Sequence, residues 1–279
     1  MSDDQADQGA RYDHIAEGYA RHWAPIIRPA AVRLLDHLAP MLPAGESHLL
    51  DIGTGTGTLA LAALERWPDV RVTGIDASSE MAAWAGGEAD RRLAAVRRAH
   101  FDTAVAVADR LPFGDATFDL AMSSFVLQLV PDRAAALAEA RRVLRPGAPF
   151  GYVTWLRHRG APDPPDQIFE ELLDELGFDP PEPDPPGRDP ASPEAAAAGL
   201  RRAGFRGVRS WADSVEHRWT ARSYTDFLEG FAEESLFDEL SERERRVLRR
   251  RLQARLRALP LADLRLRLPI VYVVGRTAG

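Results

Sequence analysis

The sequence predicts an α/β fold, a mostly parallel sheet with helices on both faces, on three observations. An apolar run, His48-Leu49-Leu50-Asp51-Ile52, ends in Gly53-Thr54-Gly55-Thr56-Gly57-Thr58, which reads as a buried strand turning sharply into a helix. Behind it, strand and helix patterns alternate: strands near 48–53, 71–76, 103–108, 118–124 and 148–155, helices near 57–67, 78–98 and 132–144. Such alternation builds parallel strands joined by crossover helices. A chain of 279 residues with 45% hydrophobic content can also bury a sizeable core.

The flanking elements follow from periodicity and punctuation. Two helices come first, Arg11 to His22 and Ile26 to Ala39, separated by a turn at Pro25. Beyond the fifth strand a short acidic helix spans Gln167 to Leu176, and Asp179 to Pro190, rich in proline, reads as an extended connector. A helix at 193–203, a strand at 205–218, helices at 223–231 and 238–258 and a strand from Leu264 to Val274 complete the chain. The expected divisions are an N-terminal helical lid (1–44), a ligand-binding core (45–156), a Pro-rich insert (157–192) and a C-terminal part of the sheet (193–279) carrying a helical lid insert at 222–258.

Composition narrows the chemistry. There is no cysteine, so neither a disulfide nor a thiol nucleophile enters any account. The net charge of −7 argues against a nucleic-acid partner, which needs clustered positive charge. The arginine-rich stretch from Arg243 to Arg257, with Leu248, Leu252, Leu256 and Leu259 at helical spacing, reads as an amphipathic helix with a solvated basic face. Its leucine stripe could equally pack against a second subunit, leaving monomer and homodimer open. The acidic, polar N-terminus and the absence of a long apolar run lead us to expect a cytoplasmic protein without a membrane span. The chain contains neither Lys nor Asn, which points to a GC-rich genome rather than to a function. No His-Glu-x-x-His or comparable spacing calls for a metal.

The glycine-rich turn predicts a nucleoside cofactor, because glycines let backbone N–H groups and a helix N-terminus approach a ligand. Dinucleotide folds place the third glycine of G-x-G-x-x-G where this chain has Thr58. Asp76 ends the second strand 19 residues beyond Gly57, where a carboxylate could accept hydrogen bonds from ribose hydroxyls. That feature fits NAD as well, and Asp76-Ala-Ser-Ser-Glu80 also looks like a helix start.

Four ordered motifs break the tie. Asp51-Ile-Gly-Thr-Gly-Thr-Gly57, Ile75-Asp76-Ala-Ser-Ser-Glu-Met81, Ala104 to Asp119 with its Asp109-Arg110-Leu-Pro-Phe-Gly-Asp115, and Leu144-Arg-Pro-Gly147 together resemble the class I S-adenosylmethionine-dependent methyltransferases, in the branch acting on small molecules such as ubiquinone and menaquinone precursors. The resemblance implies a Rossmann-like seven-stranded sheet with the last two strands antiparallel. It implies that Asp76 holds the ribose, that Asp109 takes the adenine amino group and that Met81 packs on the adenine. By themselves Asp109 reads as a turn former and Met81 as core. The expected cofactor residues are Asp51, Gly53, Thr54, Gly55, Gly57, Asp76, Ala77, Met81, Asp109, Arg110, Ser124 and Tyr19.

Tyr12, Trp23, Gln128 and Trp155 are candidate walls of the substrate pocket, with Gln128 standing where the family commonly has histidine. His14, His22 and His158 are candidate bases, although in-line methyl transfer does not oblige one. The expected activity is methyl transfer from S-adenosyl-L-methionine to an O, N or C atom of a small molecule, leaving S-adenosyl-L-homocysteine. A non-catalytic S-adenosylmethionine-binding regulatory module and an NAD-linked oxidoreductase are the alternatives.

Overall fold

The computed structural model describes residues 3–158, 162–178 and 189–279. α1 (Asp3–Gly18) runs through a π-helical segment, Tyr19–Trp23, directly into α2 (Ala24–Leu38), so the chain does not turn at Pro25. Pro25 falls in the first turn of α2, just past the π segment, where its fixed φ suits the helix. The core follows as β1 (Ser47–Ile52), α3 (Thr58–Arg66), β2 (Val70–Asp76), α4 (Ser79–Arg92), α5 (Ala95–Arg98), β3 (Phe101–Val105), β4 (Leu120–Ser124), α6 (Arg133–Val143) and β5 (Pro149–Trp155). The single helix expected at 78–98 is two, because Leu93 is extended.

After β5 come α7 (Pro164–Leu176), α8 (Pro193–Arg202), β6 (Arg206–Arg218), α9 (Ala221–Phe227), a second π-helical segment (Leu228–Ala232), α10 (Glu234–Glu239), α11 (Glu242–Ala258) and β7 (Arg265–Arg276). Most of the connector expected at 179–190 lies outside the described residues.

The seven strands form one sheet in the order β3-β2-β1-β4-β5-β7-β6. β1 to β5 pair in parallel, and β7 is antiparallel to both β5 and β6. From β1 the chain steps outward to β2 and β3, then returns to β4 on the other side. The order therefore reverses between β1 and β4, and ligands bind outside the carboxyl ends of strands at such a point.

Strand residues supply two cores in strict alternation. Leu49, Val70, Val72, Leu120, Met122 and Tyr272 join the cluster with α2 and α3, whereas Leu50, Ile52, Ile75, Ala121, Phe150 and Val273 join the one with α6 and α8. Burial on both faces explains why these strands read as continuous apolar runs.

Two expectations are corrected. Of the N-terminal region expected as a lid, α2 instead lies on the sheet face, against α3, β5, β6 and β7; only α1 and the first π segment reach α4 and the second π segment. The stripe Leu248, Leu252 and Leu256 is fully buried within its own chain, where α11 packs on α7 and α9, and is not available to a second subunit. The basic face turns outward, with Arg251 and Arg255 paired to Glu175 of α7. Truncating Leu252 to Ala should lower unfolding free energy by about 2–5 kcal/mol through transfer and cavity terms. Urea titration measures this, and light scattering should find the oligomeric state unaltered.

Candidate functional site

At the reversal point the loop after β1 is built on glycine. Gly53 has φ +70, and a Cβ there would meet Val126 Cγ2 at 2.2 Å, so both the left-handed backbone and the close approach of the loop after β4 require glycine. Gly55, φ +53, faces open space instead. Its N–H donates to Asp76 Oδ2 at 2.8 Å, and the Ser78 N–H donates to Oδ1 at 3.0 Å. Burial pushes the Asp76 carboxyl up, and the bonds from Ser78, Gly55 and Ala77 pull it back.

Asp51 and Thr54 are turned inward. Thr54 Oγ1 donates to Asp51 Oδ2 at 2.9 Å, and the Ala60 N–H in the first turn of α3 donates to the same oxygen at 3.1 Å. Asp51 Oδ1 is buried with no hydrogen-bond partner. These two side chains brace the loop from below. Met81, 1% exposed, is likewise part of the packed interior.

Beside Asp76 lies a cleft of about 220 Å³ lined by Ala77, Val105, Ala106, Val107, Arg110 and Pro112. Val105, at the end of β3, is 60% exposed, an apolar surface facing water next to a carboxylate. Asp109 is half-buried in the same loop. Ala77 and Arg110 were expected here; Val105, Ala106, Val107 and Pro112 were not, although the Ala-Val-Ala-Val run at 104–107 could have signalled them.

A roof of aromatic rings covers the carboxyl ends of β4 and β5. Trp23 of the first π segment lies 6.0 Å from Trp155, 5.7 Å from Phe227 and 6.2 Å from Phe231, ring centre to ring centre. Phe125 meets Trp155 at 4.3 Å, and Tyr19 bridges Tyr12 at 6.2 Å and Phe231 at 5.9 Å. The two π segments cross in close contact, since a Cβ on Gly18 would meet the Gly230 carbonyl oxygen at 2.1 Å. Burial, then Tyr12 and Asp76, push the Tyr19 phenol above its ordinary range, so Tyr19 lies within the field of the Asp76 carboxylate. Sequence reading found Tyr12, Tyr19, Trp23 and Trp155 but missed Phe125, Phe227 and Phe231.

Gln128 is a brace. Its Nε2 donates to the Phe125 carbonyl at 2.7 Å, and its Oε1 accepts from Thr154 Oγ1 at 2.7 Å. Both ends of the amide are thereby engaged with the chain. The brace holds Phe125 at φ +56, a conformation non-glycine residues rarely adopt, and the Phe125 N–H donates to Val153 at 2.8 Å. Ser124 ends β4, half-buried, next to this turn.

The histidines are scattered. His14 and His158 are exposed. His22 is half-buried against Gly230, and burial, then Arg21, hold it below its ordinary value against an opposing effect of Asp226. No contact joins any of the three to the Asp76 cleft. Among the described residues no three His, Asp or Glu side chains are grouped to hold a metal, and no helix is long and apolar enough to cross a membrane.

An open α/β sheet with a glycine loop at its reversal point and, to one side, an apolar cleft past the ends of β2 and β3 has the layout of the class of nucleoside-binding folds. Comparison adds a match: residues 50–150 match the family described as methyltransferase domain. The chain is 44% identical over 120 residues, 41% of its length, to the ubiquinone/menaquinone biosynthesis C-methyltransferase UbiE of Paracoccus denitrificans, and spans 43% of that relative. Over the fold it resembles a Haemonchus contortus phosphoethanolamine N-methyltransferase 2 in complex with phosphomonomethylethanolamine and S-adenosylhomocysteine, at TM-score 0.58 and 18% identity, covering 99% of this chain and 59% of that one. It also resembles the [4+2]-cyclase SpnF, at TM-score 0.57 and 20% identity, covering 99% and 97%.

Two predictions follow from the braces. Burial lifts the Asp51 carboxyl well above its ordinary value, to about 7, while the bonds from Thr54 and Ala60 act the other way. The folded chain thus holds this proton more tightly than the unfolded chain, and stability falls as pH rises from about 4 to about 7. Asp51→Asn should flatten that slope; equal slopes of unfolding midpoint against pH in variant and wild type would refute the assignment. Gln128→Leu, which strands the Phe125 carbonyl and the Thr154 hydroxyl, should cost about 1–3 kcal/mol in urea unfolding.

Proposed function

We propose that this chain is an S-adenosylmethionine-dependent methyltransferase acting on a small-molecule acceptor. The observation that carries the reading is the Asp76 carboxylate at the end of β2, set between the glycine loop and an apolar cleft. That arrangement suits a nucleoside whose ribose hydroxyls donate to the carboxylate and whose base lies against Val105 and Ala77. Asp109 and Arg110 stand at the rim where the base presents its polar edge. When bound, the cofactor supplies an electrophilic methyl group on a sulfonium.

The chain's own residues then position and exclude. The glycine loop and Asp76 hold one reactant, and Trp23, Phe125, Trp155, Phe227 and Phe231 wall off the space above β4 and β5 from water. Aligning the two reactants in a dry site supplies the largest part of the acceleration in a displacement of this kind. Of the three candidate bases, His22 is the one half-buried between the two π segments, against Gly230, and its lowered pKa leaves it neutral and able to accept a proton from a hydroxyl acceptor.

The match of residues 50–150 to a methyltransferase domain supports this reading, and Thr58 opening α3 where a dinucleotide loop has glycine speaks against an NAD-linked enzyme. Titration calorimetry with S-adenosylhomocysteine should give saturable binding, with NAD silent. Asp76→Ala should bind about tenfold to a hundredfold more weakly, as expected for losing hydrogen bonds to a charged acceptor. Appearance of S-adenosylhomocysteine from S-adenosylmethionine on adding an acceptor separates an enzyme from a binding module. Silence toward the nucleoside, or tight NAD binding, would refute the reading.

A further inference from the structure

We propose that Asp13 is a positioning residue for the cofactor cleft, a latch that fastens the N-terminal helix across the turn carrying Asp76. This inference rests on the cofactor reading above. Asp13 sits on α1 and reaches the start of α4, 65 residues away, where Ser78 Oγ donates to its Oδ1 at 2.6 Å and the Glu80 N–H donates to the same oxygen at 3.0 Å. A helix N-terminus presents unpaired N–H groups and a partial positive charge, so a carboxylate is well placed there. Those bonds, that from Ser78 foremost, hold the Asp13 carboxyl below its usual range.

The contact continues into the site. Ser78 Oγ also caps α4 in the ordinary way, accepting from the Met81 N–H at 3.0 Å, while the Ser78 N–H donates to Asp76. A continuous path thus runs from Asp13 through Ser78 to Asp76 and on to the Gly55 N–H. One turn earlier on α1, Gly9 lies over the Ala77 carbonyl, where a Cβ would come within 3.0 Å of the oxygen. Ala77 lines the cleft, so α1 passes directly above it.

What makes this a latch rather than ordinary packing is the poverty of apolar contact. Between residues 9 and 18 of α1 only Gly9 and Ala16 are buried, and the segment carries no apolar stripe of the kind that fixes α2 or α11. A helix with so little buried surface is held by its polar contacts and opens readily when one is cut. Asp13 therefore sets how long α1 stays seated over Ala77 at the edge of the cleft and keeps the Asp76 turn in register.

The test uses the full chain. Dissociation of S-adenosylhomocysteine is followed by stopped flow in wild type, Asp13→Ala and Asp13→Asn, with amide hydrogen exchange of residues 9–18 recorded without ligand. Asp13→Ala should dissociate at least about tenfold faster, with faster exchange in α1 and unaltered exchange in β1 and β4. Asp13→Asn, which can still accept both hydrogen bonds but lacks the charge, should fall between the two and guards against misfolding of the alanine variant. In turnover, KM for S-adenosylmethionine should rise while kcat at saturation stays within about twofold. Wild-type protein that fails to bind S-adenosylhomocysteine overturns the cofactor reading and this proposal with it. Binding by wild type with dissociation and α1 exchange unaltered in both variants overturns the latch alone.

Discussion

Two backbone hydrogen bonds to one carboxylate organise the carboxyl edge of this sheet. Asp76 accepts from Gly55, in the loop that opens α3, and from Ser78, in the turn that opens α4. Neither loop has apolar side chains with which to hold itself, and the glycines make the first one costly to order. A charged acceptor shared by both fixes them to each other and to the end of β2. Burial makes the carboxylate dear to ionise, and the N–H groups around it offset that cost. Everything that touches the cleft hangs from this arrangement: the open face of Gly55, the Ala77 wall, the cap of α4 and, through it, α1.

A second constraint acts from above. Two π-helical segments, far apart in sequence, cross where Gly18 and Gly230 allow backbone to meet backbone, and each presents aromatic residues over β4 and β5. A π turn widens the helix and shifts the register of the side chains that follow. That shift lets Tyr19 and Trp23 of one segment and Phe231 of the other meet in a single roof. Beneath it the strained Phe125, braced by Gln128, carries its ring to Trp155. Strain of this kind persists only where the surroundings over-determine it, and here a hydrogen bond at each side of the residue does so.

How much of this was legible in the sequence depends on whether residue type was dictated by backbone or by company. Gly53 and Gly55 were readable because a left-handed turn at a strand end leaves few choices. Pro25 misled because proline breaks a helix interior yet is neutral in a first turn. Thr54 and Gln128 bond within the chain, which the sequence does not show, because a polar side chain looks the same whether it serves a ligand or a neighbouring group. The leucines of α11 announced a buried stripe without saying which chain would bury it. Phe227 and Phe231 could not be found at all, since nothing local separates an aromatic of the lid from one of the core.

This division falls along the chain as well. The match to the methyltransferase domain covers residues 50–150, which hold the glycine loop, Asp76, Asp109 and Phe125. Tyr12, Tyr19, Trp23, Trp155, Phe227 and Phe231 all lie outside it. The fold alone decides even less, since a phosphoethanolamine methyltransferase and a [4+2]-cyclase superpose on it about equally well. On the proposed reading the choice of acceptor is a question about the roof, whose rings come from α1, the two π segments, α9 and β5, and substitutions at Trp155 and Phe227 should alter which acceptor is used more than they alter affinity for the nucleoside.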